Sequence, residues 1–199
     1  MRIVAGILKG RRIDSPTWDG LRPTSDKLRE TLFNVLATRI QGAQVLDGFA
    51  GTGAVGIEAL SRGAAHVTFV ERDPRAVTLI ESNLKRCGVS DRYAIIRARF
   101  GGTEQPSGSE PFDVIFLDPP YGATELLSAI DAAESLVQAH TLLIVEHARR
   151  DASPESRGGL VRTRLLTSGD SALSFYSRRR RLPVDSGALM FSPQRDAHA

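Results

Sequence analysis

Between residues 43 and 147, short apolar runs alternate with longer segments whose apolar positions recur every three or four residues. The two periods separate strands from helices. They predict strands over 43–47, 66–71, 92–98, 112–118 and 141–147, and helices over 54–62, 74–87 and 124–137. Strands and helices interleaved in this way make an α/β fold with a doubly wound, Rossmann-like sheet covered by helices on both faces. Upstream, Leu28, Leu32, Phe33, Leu36 and Ile40 fall at helical spacing behind Ser25 or Asp26, either of which can cap the helix. Val4 to Ile13 alternates poorly around Gly6 and Gly10 and predicts a small N-terminal β-hairpin. Downstream, Leu160–Leu166 and Ala172–Ser177 are β-rich runs separated by Thr167-Ser168-Gly169-Asp170-Ser171, which predicts an antiparallel C-terminal hairpin on one sheet edge. Residues 1–40 are therefore expected to be a hairpin and helix within the same compact unit as the main domain, 41–181. The loop 101–110 reads as a surface connection, and residues 182–199, with little periodicity, as a flexible tail.

The chemistry gathers where the predicted strands end. Val45-Leu46-Asp47-Gly48-Phe49-Ala50-Gly51-Thr52-Gly53-Ala54-Val55-Gly56 runs from strand through tight turn to helix, and Gly51, Gly53 and Gly56 satisfy G-x-G-x-x-G. Glu71 closes the next strand about twenty residues on, where a ribose-binding carboxylate is expected. Taken alone, the pattern describes a dinucleotide site. Asp47 argues otherwise, because a carboxylate just before the turn repels a pyrophosphate approaching the helix N-terminus. It suits a ligand that is cationic or zwitterionic at that end, as S-adenosylmethionine is. A glycine turn that only packs a helix on a strand is the simpler alternative. Three carboxylates, Asp47, Glu71 and Asp118, at the ends of predicted strands weigh against it, since open α/β sheets bind ligands there.

The third carboxylate begins Asp118-Pro119-Pro120-Tyr121, which follows the apolar run Phe112-Asp113-Val114-Ile115-Phe116-Leu117. Consecutive prolines fix φ and lack N–H groups, so the carbonyls of Asp118 and Pro119 are kept from a continuing helix or central strand. One carboxylate, aimed carbonyls and an aromatic face suit a planar ring bearing an exocyclic amine: the amine donates and the ring stacks on Tyr121.

Asp-x-Phe-x-Gly-x-Gly followed by Asp-Pro-Pro-Tyr resembles the class I methyltransferases that modify exocyclic amines of bases. The likeness extends through Met1-Arg2-Ile3-Val4-Ala5-Gly6, Gly10-Arg11-Arg12, Arg22-Pro23-Thr24-Ser25-Asp26, Arg29-Glu30-Thr31-Leu32-Phe33-Asn34, Glu58-Ala59-Leu60-Ser61-Arg62-Gly63-Ala64-Ala65 and Gly169-Asp170-Ser171-Ala172-Leu173-Ser174-Phe175-Tyr176. Over roughly residues 1–178 the chain is similar to the RsmD family, which methylates N2 of a guanine in bacterial 16S ribosomal RNA. The resemblance implies S-adenosyl-L-methionine as cofactor, held by Asp47, Gly48, Phe49, Ala50, Gly51, Thr52, Gly53, Glu71, Arg72 and Asp73. It assigns Thr24 to the cofactor's methionine end, Phe33 to the pocket wall, and Asp118, Pro119, Pro120 and Tyr121 to catalysis. It further implies a cytoplasmic monomer acting on 16S rRNA, in the free RNA or in an assembling small subunit. Where the family commonly places a small polar or acidic residue beside the adenine, this chain has Arg97-Ala98-Arg99-Phe100, so that contact does not transfer to Arg99. The competing readings are an adenine-N6 DNA methyltransferase, which generally needs a target-recognition region that 199 residues leave little room for, and a nonenzymatic RNA-binding assembly protein, which has no need of the intact strand-end carboxylates.

Composition changes this picture in one respect. A net charge of +3 hides an uneven distribution: residues 1–39 hold eight basic side chains against four acidic ones, and Arg178–Arg181 form a second cluster. Arg2, Lys9, Arg11, Arg12 and Arg22 are the candidate RNA-binding residues, since cations gathered on one face bind a phosphate backbone without reading sequence. A hairpin so basic and glycine-hinged is expected to contribute little to the core. Cys87 is the sole cysteine, so no intrachain disulfide forms, and His66, His140, His147 and His198 are dispersed, with no spacing that suggests a metal site. No apolar stretch is long enough for a signal peptide or a membrane span.

Overall fold

A computed structural model describes residues 1–18, 26–102 and 110–179. One eight-stranded sheet organises them, with strand order β3-β2-β1-β4-β5-β8-β7-β6. The strands are β1 (Gln44–Asp47), β2 (His66–Glu71), β3 (Tyr93–Arg97), β4 (Val114–Leu117), β5 (Leu142–Ala148), β6 (Ser156–Arg157), β7 (Leu160–Ser168) and β8 (Ser171–Arg178). The helices are α1 (Asp26–Leu36), α2 (Ala54–Ser61), α3 (Pro74–Arg86) and α4 (Ala123–Ala133). β1 to β5 are mutually parallel, and β8, β7 and β6 extend the β5 edge antiparallel. This is the expected doubly wound sheet with its C-terminal hairpin.

Strand alternation divides the core between the two faces. Val45, Val67, Phe69, Phe116 and Ile144 pack toward α1, α2 and α3, whose contributions include Leu32, Phe33, Ile57, Leu60, Ile80 and Leu84. Leu46, Val70, Ile115, Leu117, Leu143 and Val145 pack toward α4 through Leu126, Ala129, Ile130 and Ala133. The central strands are apolar on both faces because both are covered.

Several boundaries differ from expectation for local reasons. The fourth strand stops at Leu117 rather than 118, because Pro119 and Pro120 cannot extend the ladder. The fourth helix ends at Ala133 and tightens into a 3-10 turn over Glu134–Leu136. The C-terminal hairpin is longer than expected, closed by the two-residue loop Gly169-Asp170 with Gly169 at φ 60, the sign such loops require. The two-residue β6 gave no sequence signal. Ser25, one candidate cap of α1, lies outside the described residues, as do residues 182–199; Asp26 is the first helical residue and pairs with Arg29 at 2.8 Å.

The N-terminal segment bears out one expectation and corrects another. It is the small hairpin expected, closed by the antiparallel bridge of Arg2 with Arg12. It also has a core role: Ile3, Leu8 and Ile13 are buried in the α1–α3 face. The carboxylate of Glu58, itself fully buried on α2, accepts the N–H groups of Val4 at 2.7 Å and Ala5 at 2.9 Å. Ser61 receives the Leu8 N–H on its hydroxyl at 3.0 Å and the Ile7 N–H on its carbonyl at 2.8 Å. The backbone donors of Val4, Ala5, Ile7 and Leu8 are thus satisfied by one helix, while Arg2, Lys9, Arg11 and Arg12 are exposed.

Candidate active site

β1 has β2 on one side and β4 on the other, so the chain reverses its winding direction there. A cleft opens at this switch point, beyond the carboxyl ends of the parallel strands, where ligands of open α/β sheets bind. Its volume is ≈ 1030 Å³, ample for a nucleoside-sized cofactor together with part of a second ligand.

Asp47, Gly48, Phe49, Ala50, Gly51, Thr52, Glu71, Arg72, Asp118, Pro119, Pro120 and Tyr121 all line this one cleft. Gly53 and Asp73 do not. Gly53 precedes α2 in the left-handed region at φ 76, and Asp73 caps α3 by accepting the Arg75 N–H at 2.9 Å, so both set the starts of the helices that follow β1 and β2. Phe33 requires a correction: instead of walling the pocket it lies in the core, with the Arg62 guanidinium 4.8 Å over its ring. Its helical spacing was the truer signal. Thr24 and Arg22 lie outside the described residues. Arg2, Lys9, Arg11 and Arg12 are exposed, but the Arg11 guanidinium also donates to the Cys87 carbonyl at the end of α3, so part of its role is to cap that helix.

The glycine turn is held by carboxylates. Glu71 accepts the N–H groups of Gly51 at 2.9 Å, Arg72 at 2.8 Å and Asp73 at 2.9 Å, tying the end of β2 to the β1–α2 turn. Asp47 accepts the Gly56 N–H at 3.0 Å. That contact needs Gly56 itself, because a Cβ there would stand 2.2 Å from the Phe69 ring. Burial pushes the Asp47 carboxyl up to about 7, the Gly56 bond opposes the shift, and the charge of Glu71 adds to it. Two buried carboxylates at one end of a cleft are an electrostatic seat for a cation. Phe49 and Phe100, ring centroids 5.6 Å apart, supply an apolar wall suited to a base. Among the described residues no group of three or more His, Cys, Asp or Glu could hold a metal ion.

The Asp118-Pro119-Pro120-Tyr121 segment is braced from the C-terminal side. The Tyr121 hydroxyl and the Ser171 hydroxyl are hydrogen-bonded at 2.9 Å, and the Gly122 N–H donates to Asp151 at 3.1 Å. Ser168, Asp170 and Ser171, around the β7–β8 turn, therefore form a cleft wall that the sequence reading did not include. Glu146 on β5 was missed as well. Its position near a parallel strand's carboxyl end, the rule that selected Asp47, Glu71 and Asp118, was the available signal.

The comparisons with known proteins accord with this geometry. The family described as Conserved hypothetical protein 95 matches residues 1–177. The Escherichia coli K12 protein named Ribosomal RNA small subunit methyltransferase D is 34% identical over 180 residues, covering 89% of this chain and 90% of the relative. The chain belongs to the RsmD family. A Haemophilus influenzae protein of the same name is 42% identical over 123 residues, covering 61% of this chain and 64% of that protein. Among solved structures, Escherichia coli yhhF superposes with a TM-score of 0.77 at 30% identity, covering 91% of this chain and 99% of that one. Membership of the RsmD family makes the chain a class I methyltransferase in fold, and the cleft at its switch point is the candidate active site. None of the described helices is long and apolar enough to cross a membrane.

Proposed function

We propose that this protein transfers the methyl group of S-adenosylmethionine to the exocyclic N2 amine of a guanine in 16S ribosomal RNA. The observation that carries the reading is the placing of the Asp47–Glu71 seat and the Asp118-Pro119-Pro120-Tyr121 clamp in one cleft, in a chain whose relatives are named rRNA methyltransferases. Asp47 and Glu71 suit the cationic and hydroxyl-bearing parts of the cofactor, and Phe49 with Phe100 the adenine. When bound, that cofactor supplies an already activated methyl group on sulfonium sulfur. The chain's own task is to present the amine. Its lone pair is delocalised into the base, so Asp118 and the Pro119 carbonyl accept its N–H groups and turn the nitrogen toward a tetrahedral form, in line with the methyl. The new N–C bond forms as the S–C bond breaks, and the surplus proton on nitrogen leaves toward the Asp118 carboxylate and solvent. The test is incubation with labelled methyl donor and either RNA or DNA from a deletion strain. Label in RNA alone is expected; label in DNA alone would point to the adenine-N6 reading instead.

Asp47 gives the cofactor step a pH signature. Because burial raises its pKa in the folded protein, ionising it opposes folding: its contribution to stability is full below the ordinary carboxylate pKa and is lost as pH rises through about 7. A bound cation reverses the preference and holds Asp47 ionised. Cofactor affinity is therefore expected to rise with pH up to about 7 and then level, with up to one proton released on binding at lower pH. Calorimetric titration in buffers of different ionisation enthalpy measures that release; a flat profile between pH 5.5 and 7.5 contradicts the assignment.

For the RNA, the outward cations of the N-terminal segment are the proposed phosphate contacts. Replacing Arg2 and Arg12 together with Ala is expected to weaken RNA binding and to lower the slope of log affinity against log salt by about two, one for each contact. Arg11 is a poorer choice because its loss also uncaps α3. An unchanged slope in filter binding across a salt series assigns the RNA to another surface.

Tyr121 separates stacking from positioning. Tyr121→Ala is expected to cost about 1–3 kcal/mol of base stacking. Tyr121→Phe keeps the ring but loses the bond to Ser171, so its single-turnover rate falls between those of the wild type and Tyr121→Ala. Ser171→Ala reproduces the Tyr121→Phe rate if the hydroxyl works only through that bond.

A further inference from the structure

Glu146 belongs neither to the Asp47–Glu71 seat nor to the Asp118-Pro119-Pro120-Tyr121 clamp. It lies on β5, is 4% exposed, and lines the same cleft as Asp118. The last β4–β5 pair is Leu117 with Val145. One residue further, the two adjacent parallel strands carry Asp118 and Glu146. Neighbouring strands lie about 4.8 Å apart, a separation that lets two side chains reach adjacent groups on one edge of a planar base. On its other side Glu146 faces Leu173 of β8 in the antiparallel register, so β8 closes the lateral approach and the carboxylate addresses the cleft.

We propose that Glu146 is a specificity-determining residue that accepts the N1–H of the target guanine while Asp118 accepts the N2 amine; this rests on the guanine-N2 reading given above. A base taken from its stack is read along its Watson–Crick edge. Guanine presents two neighbouring donors there, N1–H and N2–H. Adenine presents an N1 acceptor beside its amine, so a carboxylate at the Glu146 position would set acceptor against acceptor. Enclosure sharpens the choice, because water cannot readily replace a missing partner at a buried group. The shared clamp binds an amine on either purine. Glu146 supplies the discrimination that Asp118-Pro119-Pro120-Tyr121 lacks.

The experiment uses the full chain and 16S rRNA in small subunits, ligated to carry either guanine or 2-aminopurine at the nucleotide that the wild type methylates. 2-Aminopurine keeps the N2 amine but has no N1–H. The wild type is expected to prefer guanine by at least about 100-fold in kcat/KM, a floor below the roughly 10⁴–10⁵ by which polar sites reject an analogue lacking the hydrogen-bonding group. In Glu146→Gln, whose amide can donate to N1, the preference is expected to fall below about tenfold, with unchanged cofactor affinity showing that the cleft is intact. A wild-type enzyme that accepts both bases alike overturns the inference without reference to any variant. So does a Glu146→Gln variant that retains the wild-type preference. Absence of N2-methylguanine from the wild-type product overturns the function reading itself, and the inference with it.

Discussion

Replacing Asp118 with Ala is expected to lower the single-turnover rate of methyl transfer by about 10²–10³-fold, the scale of losing one preorganised electrostatic contact to a transition state. Charge develops on the attacking nitrogen, so the carboxylate acts more strongly on the transition state than on the bound base. Cofactor affinity is expected to stay at the wild-type value, because Asp118 follows β4 whereas the proposed cation seat, Asp47 and Glu71, lies on β1 and β2. Single-turnover kinetics at saturating cofactor, paired with calorimetric titration of the cofactor, separate the two effects. A rate close to wild type sinks the mechanism; a rate loss matched by lost cofactor binding reassigns Asp118 to the cofactor.

The largest effect on stability is expected at Glu58, far in role from the chemistry. Its buried carboxylate takes two backbone donors from Val4 and Ala5, the Arg62 guanidinium at 2.8 Å, and the fully buried Arg29 at 3.7 Å. Glu58→Ala leaves Arg29 with Asp26, the Arg2 carbonyl and a long contact to the Met1 sulfur, and strands two backbone N–H groups. Breaking a buried ion pair from one side costs about 3–5 kcal/mol. Urea denaturation is expected to show that loss, and hydrogen exchange to show faster exchange at Val4 and Ala5. Wild-type stability would mean that solvent replaces Glu58 without penalty, and that the N-terminal segment is not anchored as described.

The fold was legible because both periods ran cleanly through residues 43–147. What stayed hidden depended on partners distant in sequence. Glu58 follows the glycine motif on a short helix, and only its contact with Val4 and Ala5 reveals a latch. The basic loop before it looked peripheral because Ile3, Leu8 and Ile13 recur every five residues, a spacing that fits neither the helical nor the strand period. In the site, Asp47 and Asp118 were visible from their strand-end motifs, whereas Glu71 was seen only as a candidate ribose ligand. Its bonds to Gly51, Arg72 and Asp73 make it also the brace of the turn, so Glu71→Ala should disturb the loop as well as the ligand. Phe33 lies in the core, where its helical register with Leu28, Leu32 and Leu36 puts it, and not on the pocket wall that the motif resemblance implied. Ser171 enters the cleft only once β8 folds back beside β5, whereas Glu146 was legible from its place near the carboxyl end of β5.

Small subunits from a deletion strain, treated with this protein and S-adenosylmethionine and then digested to nucleosides, should yield N2-methylguanosine from 16S rRNA when the products are resolved by mass spectrometry. Appearance of N6-methyladenosine instead, or of no methylated nucleoside under conditions where the cofactor binds, would contradict the account.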